Sequence, residues 1–269
     1  LHLTGGSTVF VENGTFVEST STVRYGGTSG SNVLSTTYYN LEVNGSGGTP
    51  TFTGTGLGIV VSNNLTVGGT GMSTFTLDTN DPALDVTGTV RIESSGTFVA
   101  SNSAVCTLGG NYDNDGTFTS SGGTVTFDGS GVRTLAPGAS SFGNVTASGT
   151  GSYTITESAT TTGVFRLVTL GGFTMQSGTT LAVGTTFVNG IGGAGTTWTG
   201  STLYLYGGGN YLINGATTSD SYETLTLGSG TQIRMWNSSA GTYDLASTAS
   251  LYSQDHGGTN GLLHIYGAY

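Results

Sequence analysis

Short segments of the chain alternate between apolar and polar residues with a period of two. Val125 and Phe127 alternate with threonines. Segments 22–25, 41–43 and 225–227 show the same pattern. Because successive side chains of a strand point to opposite faces, the alternation predicts short β-strands with one buried side. Asn-Gly, Gly-Gly and Ser-Gly pairs between the segments suit sharp corners, and no capping box leads into a helical pattern.

These segments recur at a regular spacing. Segment 40–47 matches 64–71 at an offset of 24, and a further step of 25 leads to 89–92. Segment 22–27 matches 124–129 at an offset of 102, which four steps of similar size would explain. A stack of coils keeps such a register because each coil repeats the one before it. We therefore predict coils of about 24–26 residues.

The fold predicted from this register is a single parallel β-solenoid over residues 1–269. Its internal repeats cover approximately 5–106, 107–184 and 185–269. An antiparallel β-sandwich is the alternative, because turn signals every ~8–12 residues fit it too. It does not explain the register kept across copies. The predicted inward side chains of the solenoid are Val23, Tyr25, Val43, Val67, Val125, Phe127, Leu203 and Leu205.

Composition narrows the choice of partners. The chain contains 49 glycines, no lysine, 7% charged residues and 35% hydrophobic residues, and its net charge is −10. The acidic balance argues against nucleic acid and anionic membrane surfaces, which attract basic proteins. No apolar run approaches the ~18 residues of a membrane helix, so membrane insertion is not expected. The single cysteine, Cys106, excludes an internal disulfide framework and is expected to be a buried apolar residue.

Candidate chemistry is sparse. Asp78, Asn80 and Asp81 form one cluster of oxygen ligands that could hold calcium, and Asp113 with Asp115 forms a second. Turn formation explains both clusters equally well. No other cofactor is indicated. No metal-spaced His/Cys set, nucleophile elbow or pair of catalytic carboxylates is recognised, so the chain is not expected to be an enzyme.

Two tyrosines are candidate ligand-binding residues. If the apolar residues of 202–205 point inward, Tyr204 and Tyr206 point outward. Exposed aromatic rings stack on sugars or contact proteins. Partial burial under loops is the alternative explanation for this pair.

Two motifs carry a resemblance to known proteins. They are aromatic-x-Asn-apolar-x-apolar-x-Gly-x-Gly at 38–47, and Gly-Thr-Phe followed by Gly-Gly-Thr-Val-x-Phe-x-Gly-x-Gly at 116–131. They resemble the Gly/Thr/Ser-rich repeats of large bacterial surface and secreted proteins with right-handed parallel β-helix folds. The resemblance implies an adhesin-like or filamentous role in an extracellular or cell-surface setting.

These expectations favour a structural role. No polar cap is visible at either end of the sequence, so either the chain is a fragment of a longer solenoid or its ends meet neighbouring copies. Head-to-tail contacts of the second kind do not close and generate filaments. We expect a structural subunit of an extracellular filament or cell-surface assembly that self-associates into a homopolymer through end-on or strand-sharing contacts. An adhesin stalk or carbohydrate-binding surface module that binds glycans is the alternative. A glycan-active β-helix enzyme is the less favoured third hypothesis.

Overall fold

The fold is all-β and parallel. The computed structural model shows two compact units: unit 1 is Leu1–Phe127 with Ala136–Ser140, and unit 2 is Asp128–Leu135 with Ser141–Tyr269. The only helical element among the described residues is a single 3₁₀ turn at Gly193–Gly195. The structure describes residues 1–207, 210–212, 222–228, 232–235, 250–253 and 262–265, and for 210–212 and the last three ranges it describes the backbone alone.

Unit 1 is a parallel β-solenoid. From Thr22 onward, each turn of the chain adds one short strand to each of three faces, and every pairing along a face is parallel. The charged face consists of His2–Leu3, Thr22–Tyr25, Asn40–Val43, Leu65–Val67, Val90–Ile92 and Tyr112–Asn114. The threonine face consists of Asn32–Val33, Thr51–Gly54, Ser73–Thr76, Gly96–Val99 and Thr117–Thr119. The third face consists of Thr37–Tyr38, Gly58–Val61, Ala83–Val86, Cys106–Leu108 and Thr124–Phe127.

Unit 2 is built in the same way, with parallel pairing in each set of strands. One set contains Val132–Ala136, of which all but Ala136 belongs to unit 2, and Ser152–Ile155, Gly172–Met175 and Thr196–Thr197. A second contains Ser141–Phe142, Ala159–Thr161, Thr180–Val183, Thr202–Leu205, Thr224–Leu227 and Ser250–Ser253. The others are Asn144–Ala147, Val164–Leu167 and Thr186–Asn189, and then Asn210–Leu212, Gln232–Met235 and Leu262–Ile265. The predicted parallel β-solenoid is confirmed, and the antiparallel sandwich is excluded.

The strand register confirms the coil spacing at the place where the sequence suggested it. Leu41 pairs with Leu65, and Leu65 pairs with Val90, as the matched segments predicted. Other turns are shorter, because Val23 already pairs with Leu41, and Cys106 with Val125. Since the strands themselves are short, the corners between them absorb the difference in length.

The longer repeat requires a correction. Thr22–Tyr25 lies on the charged face, whereas Thr124–Phe127 lies on the third face of the same unit. The offset between these two segments is therefore not a whole number of turns, and its explanation by four equal steps is wrong. The reason is that every face needs the same alternation of inward and outward residues, so one sequence pattern fits any of them. The repeat boundaries stay a prediction, and much of 185–269 lies outside the described residues.

The core consists of the predicted inward side chains. All eight are at most 1% exposed. Because they lie on different faces, they form several stacks, of which Tyr25, Val43, Val67 and Ile92 make one. Full burial of such a side chain stabilises the fold by about 1.5–3 kcal/mol. Cys106 is buried as expected, and this burial raises the pKa of its thiol to about 12, so the thiol stays protonated near neutral pH.

Two buried tyrosines satisfy each other's polar groups within unit 1. The hydroxyls of Tyr25 and Tyr38 lie 2.9 Å apart. The Leu34 amide donates to the Tyr25 hydroxyl, and the Tyr38 hydroxyl donates to the Leu34 carbonyl. Burial raises the pKa of both phenols. The closed set of hydrogen bonds explains how two phenols fit into an apolar interior.

The asparagine that opens the strand motif joins successive turns. Asn40 Oδ1 accepts a hydrogen bond from the amide of Asn64, one turn further along the chain. Asn64 Oδ1 accepts one from the Thr89 amide at 2.9 Å. In unit 2, Asn144 Oδ1 accepts one from the Val164 amide at 3.0 Å. Each side chain thus takes up a backbone donor where the next strand begins, which the strand ladder alone would leave unpaired.

Candidate functional site

The predicted calcium cluster lies in a corner of unit 1, between the threonine face and the third face. Asp78 Oδ1 accepts a hydrogen bond from Asn102 Nδ2 at 2.7 Å. Asp81 Oδ1 accepts one from the Ser101 hydroxyl at 2.7 Å. Ser101 and Asn102 occupy the corresponding corner one turn further along. The two carboxylates therefore connect neighbouring corners.

The side chain of Asn80 contacts the preceding turn, whereas Asp78 and Asp81 contact the following one. Asn80 Nδ2 donates to the carbonyl of Gly54, in the preceding turn, at 2.9 Å. Asp81 has a positive φ of 51°, a conformation that Asp tolerates better than most residues. The hydrogen bond from Ser101 lowers the pKa of the Asp81 carboxyl below its ordinary value. The three candidate ligands thus hydrogen-bond to residues of the preceding and the following turn and link three turns together. Calcium binding there stays a prediction.

The second acidic cluster is paired with an arginine on the charged face. Arg91 and Asp113 are direct register neighbours and form an ion pair. Arg91 Nε lies 2.7 Å from Glu93 Oε1, and Nη2 lies 3.0 Å from Asp115 Oδ2. The hydrogen bond to Glu93, then the charge of Asp113, raises the pKa of Arg91. Because these side chains are substantially exposed, each pair adds only about 0.2–1 kcal/mol.

Arg24 and Glu42 repeat this arrangement on the same face. They are register partners, and their side chains lie 2.7 Å apart. Neighbouring turns thus place opposite charges side by side, which stabilises the pairing of those strands. The arrangement uses the carboxylates as partners of arginine. Within the part of the chain that the structure describes, no group of three or more His, Cys, Asp or Glu residues is arranged to hold a metal ion.

Tyr204 and Tyr206 lie where the alternation predicts. Leu203 and Leu205 are fully buried, whereas both tyrosines are half-buried on the outer side of unit 2. Their ring centroids lie 5.7 Å apart with the planes tilted by 39°. The Tyr206 hydroxyl donates to the Thr161 carbonyl at 3.3 Å, and partial burial, followed by the neighbouring Tyr204, raises the pKa of its phenol. The pair forms a small aromatic surface with one ring anchored.

Small side chains border this surface. Tyr204 pairs in register with Ala182 on one side and with Thr226 on the other. Both are shorter than a tyrosine, so the Tyr204 ring has short neighbours along the set of strands. This geometry suits stacking against a flat ligand. Sugar binding or protein contact at Tyr204 and Tyr206 stays a prediction.

The sequence reasoning missed one regular surface, the outer side of the threonine face. The tripeptide Thr-Phe-Thr occurs at 51–53, 74–76 and 117–119, and Thr-Phe-Val occurs at 97–99 and also, outside this face, at 15–17 and 186–188. The structure brings the four tripeptides at 51–53, 74–76, 97–99 and 117–119 into register on neighbouring strands. Their recurrence was the signal available in the sequence.

Comparison with known proteins gives no match: no family model, no curated protein and no solved structure is similar to this chain. Among the described residues, none forms a helix long and apolar enough to cross a membrane.

Proposed function

We propose that this chain is a structural subunit of an extracellular filament or cell-surface assembly. In this proposal it has no catalytic residues and associates with copies of itself through end-on or strand-sharing contacts. The observation that carries the proposal is the exposure of three large apolar side chains on the first turn of unit 1. Leu1, Val11 and Val17 are 62%, 61% and 74% exposed there.

The inner packing continues into that turn. Phe10 and Phe16 make an edge contact with ring centroids 5.2 Å apart, and Phe16 lies 6.4 Å from the buried Tyr38. Both phenylalanines remain half-buried. In the proposed assembly, a surface of a neighbouring copy packs against these rings and completes their burial.

The proposed contact joins the first turn of one copy to a different surface of the next copy. A contact between different surfaces of two copies does not close on itself, so it produces a filament. The low charge and the resemblance to bacterial surface repeats favour an extracellular setting.

The test is polymer formation by the chain and by two matched variants. Val17→Glu places a charge on the first turn, and Val132→Glu places the same charge at a position that is 79% exposed in unit 2. We expect the unsubstituted chain and Val132→Glu to form filaments at high concentration, whereas Val17→Glu should not polymerise. Electron microscopy and sedimentation measure both outcomes. A monodisperse unsubstituted chain, or equal behaviour of the two variants, would overturn the proposal.

Carbohydrate binding by an adhesin-like surface is the second candidate function, and the pairing of Tyr204 with Tyr206 favours it. Half-buried rings lose little conformational freedom on binding, and sugars stack on their faces. A glycan array should then give signals that Tyr204→Ala removes and Tyr39→Ala, at another half-buried tyrosine, retains. An array without signal for the unsubstituted chain would reject this function without affecting the filament proposal.

A further inference from the structure

The threonine face of unit 1 carries a two-dimensional array of outward side chains. Its first column is unbroken threonine: Thr51 pairs with Thr74, Thr74 with Thr97, and Thr97 with Thr117. A second column lies two residues further along each strand. Its members, in register order, are Thr53, Thr76, Val99 and Thr119.

Strand geometry sets the spacing of this array. Neighbouring strands lie ~4.8 Å apart, and residues two apart on one strand are separated by ~6.6 Å. The array is therefore close to a rectangular lattice. Threonine is stiff at χ1, so each position holds its methyl and hydroxyl groups in few orientations.

The inner side of the same strands makes a regular support. Phe52, Phe75, Phe98 and Phe118 occupy the positions between the two columns and are buried. The rings of Phe75 and Phe98 stack at 5.6 Å with an angle of 14° between their planes, and the Phe118 ring lies 5.6 Å from Phe98 with a tilt of 58°. These contacts join the neighbouring strands from the inner side.

The array carries no charge, in contrast to the charged face of unit 1. The outward residues of the charged face include Arg24, Glu42, Arg91 and Asp113, and the third face includes Asp85. Of the eight positions in the array, Thr76 is buried at 9% exposure and the other seven are partly or fully exposed. A partner matched to this surface is uncharged and repeats in two dimensions.

We propose that the threonine face binds ice. A crystal plane of ice is uncharged and presents oxygen atoms in rows that repeat in two dimensions. The threonine hydroxyls can hydrogen-bond to these oxygens while the methyl groups occupy the spaces between them. Each contact is weak, but a preorganised array makes several of them at once, and this multiplies the affinity. The activity does not depend on filament formation.

The proposal is tested by comparing one substitution on this face with the same substitution on another. Thr97→Lys inserts a long charged side chain into the middle of the array. Thr107→Lys inserts it at an equally half-buried outward position in the middle of the third face. Both variants change the net charge equally, and circular dichroism checks that both are folded. Should Thr97→Lys fail to fold, Thr117→Lys at an exposed position of the array replaces it.

The readouts are adsorption of the labelled protein to a single ice crystal and inhibition of ice recrystallisation. We expect both for the unsubstituted chain and for Thr107→Lys. Thr97→Lys should weaken adsorption about tenfold or more, because the loss of a single average hydrogen bond already has an effect approaching that size. Val99→Thr, which completes the second column, should keep or increase adsorption.

Three results would overturn the proposal: no adsorption of the unsubstituted chain to ice, equal loss in Thr97→Lys and Thr107→Lys, or binding that is confined to another ordered surface. The last is examined with microcrystalline cellulose and chitin in the same assay. Binding to these fibres, lost in Thr97→Lys, with no adsorption to ice would assign the array to a crystalline polysaccharide instead.

Discussion

Removal of one ring from the phenylalanine stack of unit 1 should destabilise several turns. Phe98 is 0% exposed, and its ring centroid lies 5.6 Å from those of both Phe75 and Phe118. Phe98→Ala removes this side chain and leaves a cavity between two rings that are fixed by their own strands. Substitutions of this kind cost about 3–5 kcal/mol, because the lost transfer energy and the cavity add together.

Hydrogen exchange followed by mass spectrometry measures where this free energy is lost. In a stack of turns each turn contacts only its neighbours, so the loss should be local. Amides of Ser73–Thr76 and Thr117–Thr119 should exchange faster in Phe98→Ala, together with those of Gly96–Val99. Urea unfolding followed by circular dichroism gives the total loss of stability.

Thr97→Ala is the matched control on the same strand. Its half-buried side chain points outward, and substitutions on the outer side of a strand change stability by at most ~1 kcal/mol. Equal destabilisation by Phe98→Ala and Thr97→Ala would contradict the assignment of inner and outer sides. Faster exchange throughout the chain in Phe98→Ala would contradict the nearest-neighbour picture.

Two further predictions concern polar groups. Tyr25→Phe and Tyr38→Phe should each lower the free energy of unfolding by about 1–3 kcal/mol, because the first leaves the Leu34 amide without its acceptor and the second leaves the Tyr25 hydroxyl without its acceptor. Chemical denaturation of both variants measures the loss, and unchanged stability in either would contradict the closed hydrogen-bond set. Because Asp81 has a lowered pKa in the folded state, its contribution is present above its ordinary value of 3.8 and is lost as the pH falls through the lowered value. The stability difference between the unsubstituted chain and Asp81→Asn should therefore shrink on acidification, and a difference independent of pH would show that the Ser101 contact does not contribute.

The alternation of residues was sufficient to predict the fold class and the inner side of each strand. Val125 and Leu203 could be assigned inward because a period of two leaves only two choices, and burial of the apolar set decides between them. The pairing of Leu41 with Leu65 and of Leu65 with Val90 could be predicted because the matched segments repeat the same alternation at a regular spacing. The alternation does not predict on which face of the solenoid a strand lies.

Side-chain partners were not predictable because they depend on the register between turns of unequal length. Asp78 and Asp81 are close in sequence and suggested a shared ligand, yet their donors come from Asn102 and Ser101 in the next turn. Asp113 likewise faces Arg91, which lies in the preceding turn. The offset is 24 residues for Asp78 and Asn102 but 20 for Asp81 and Ser101 and 22 for Arg91 and Asp113. The predicted coil of 24–26 residues would therefore miss the last two contacts, because the turns of unit 1 differ in length.

The outward residues differ between faces because the fold does not restrict them. The inward positions are shared by every face and must be apolar, so they carry little information beyond the solenoid itself. The outward positions of unit 1 separate into paired charges around Arg91 on one face and a nearly unbroken set of threonines around Thr97 on another. Stability alone would be served by either composition on both faces. The segregation of charge from the threonine face is therefore the feature of this chain that most requires a functional explanation, and a periodic, uncharged ligand supplies one.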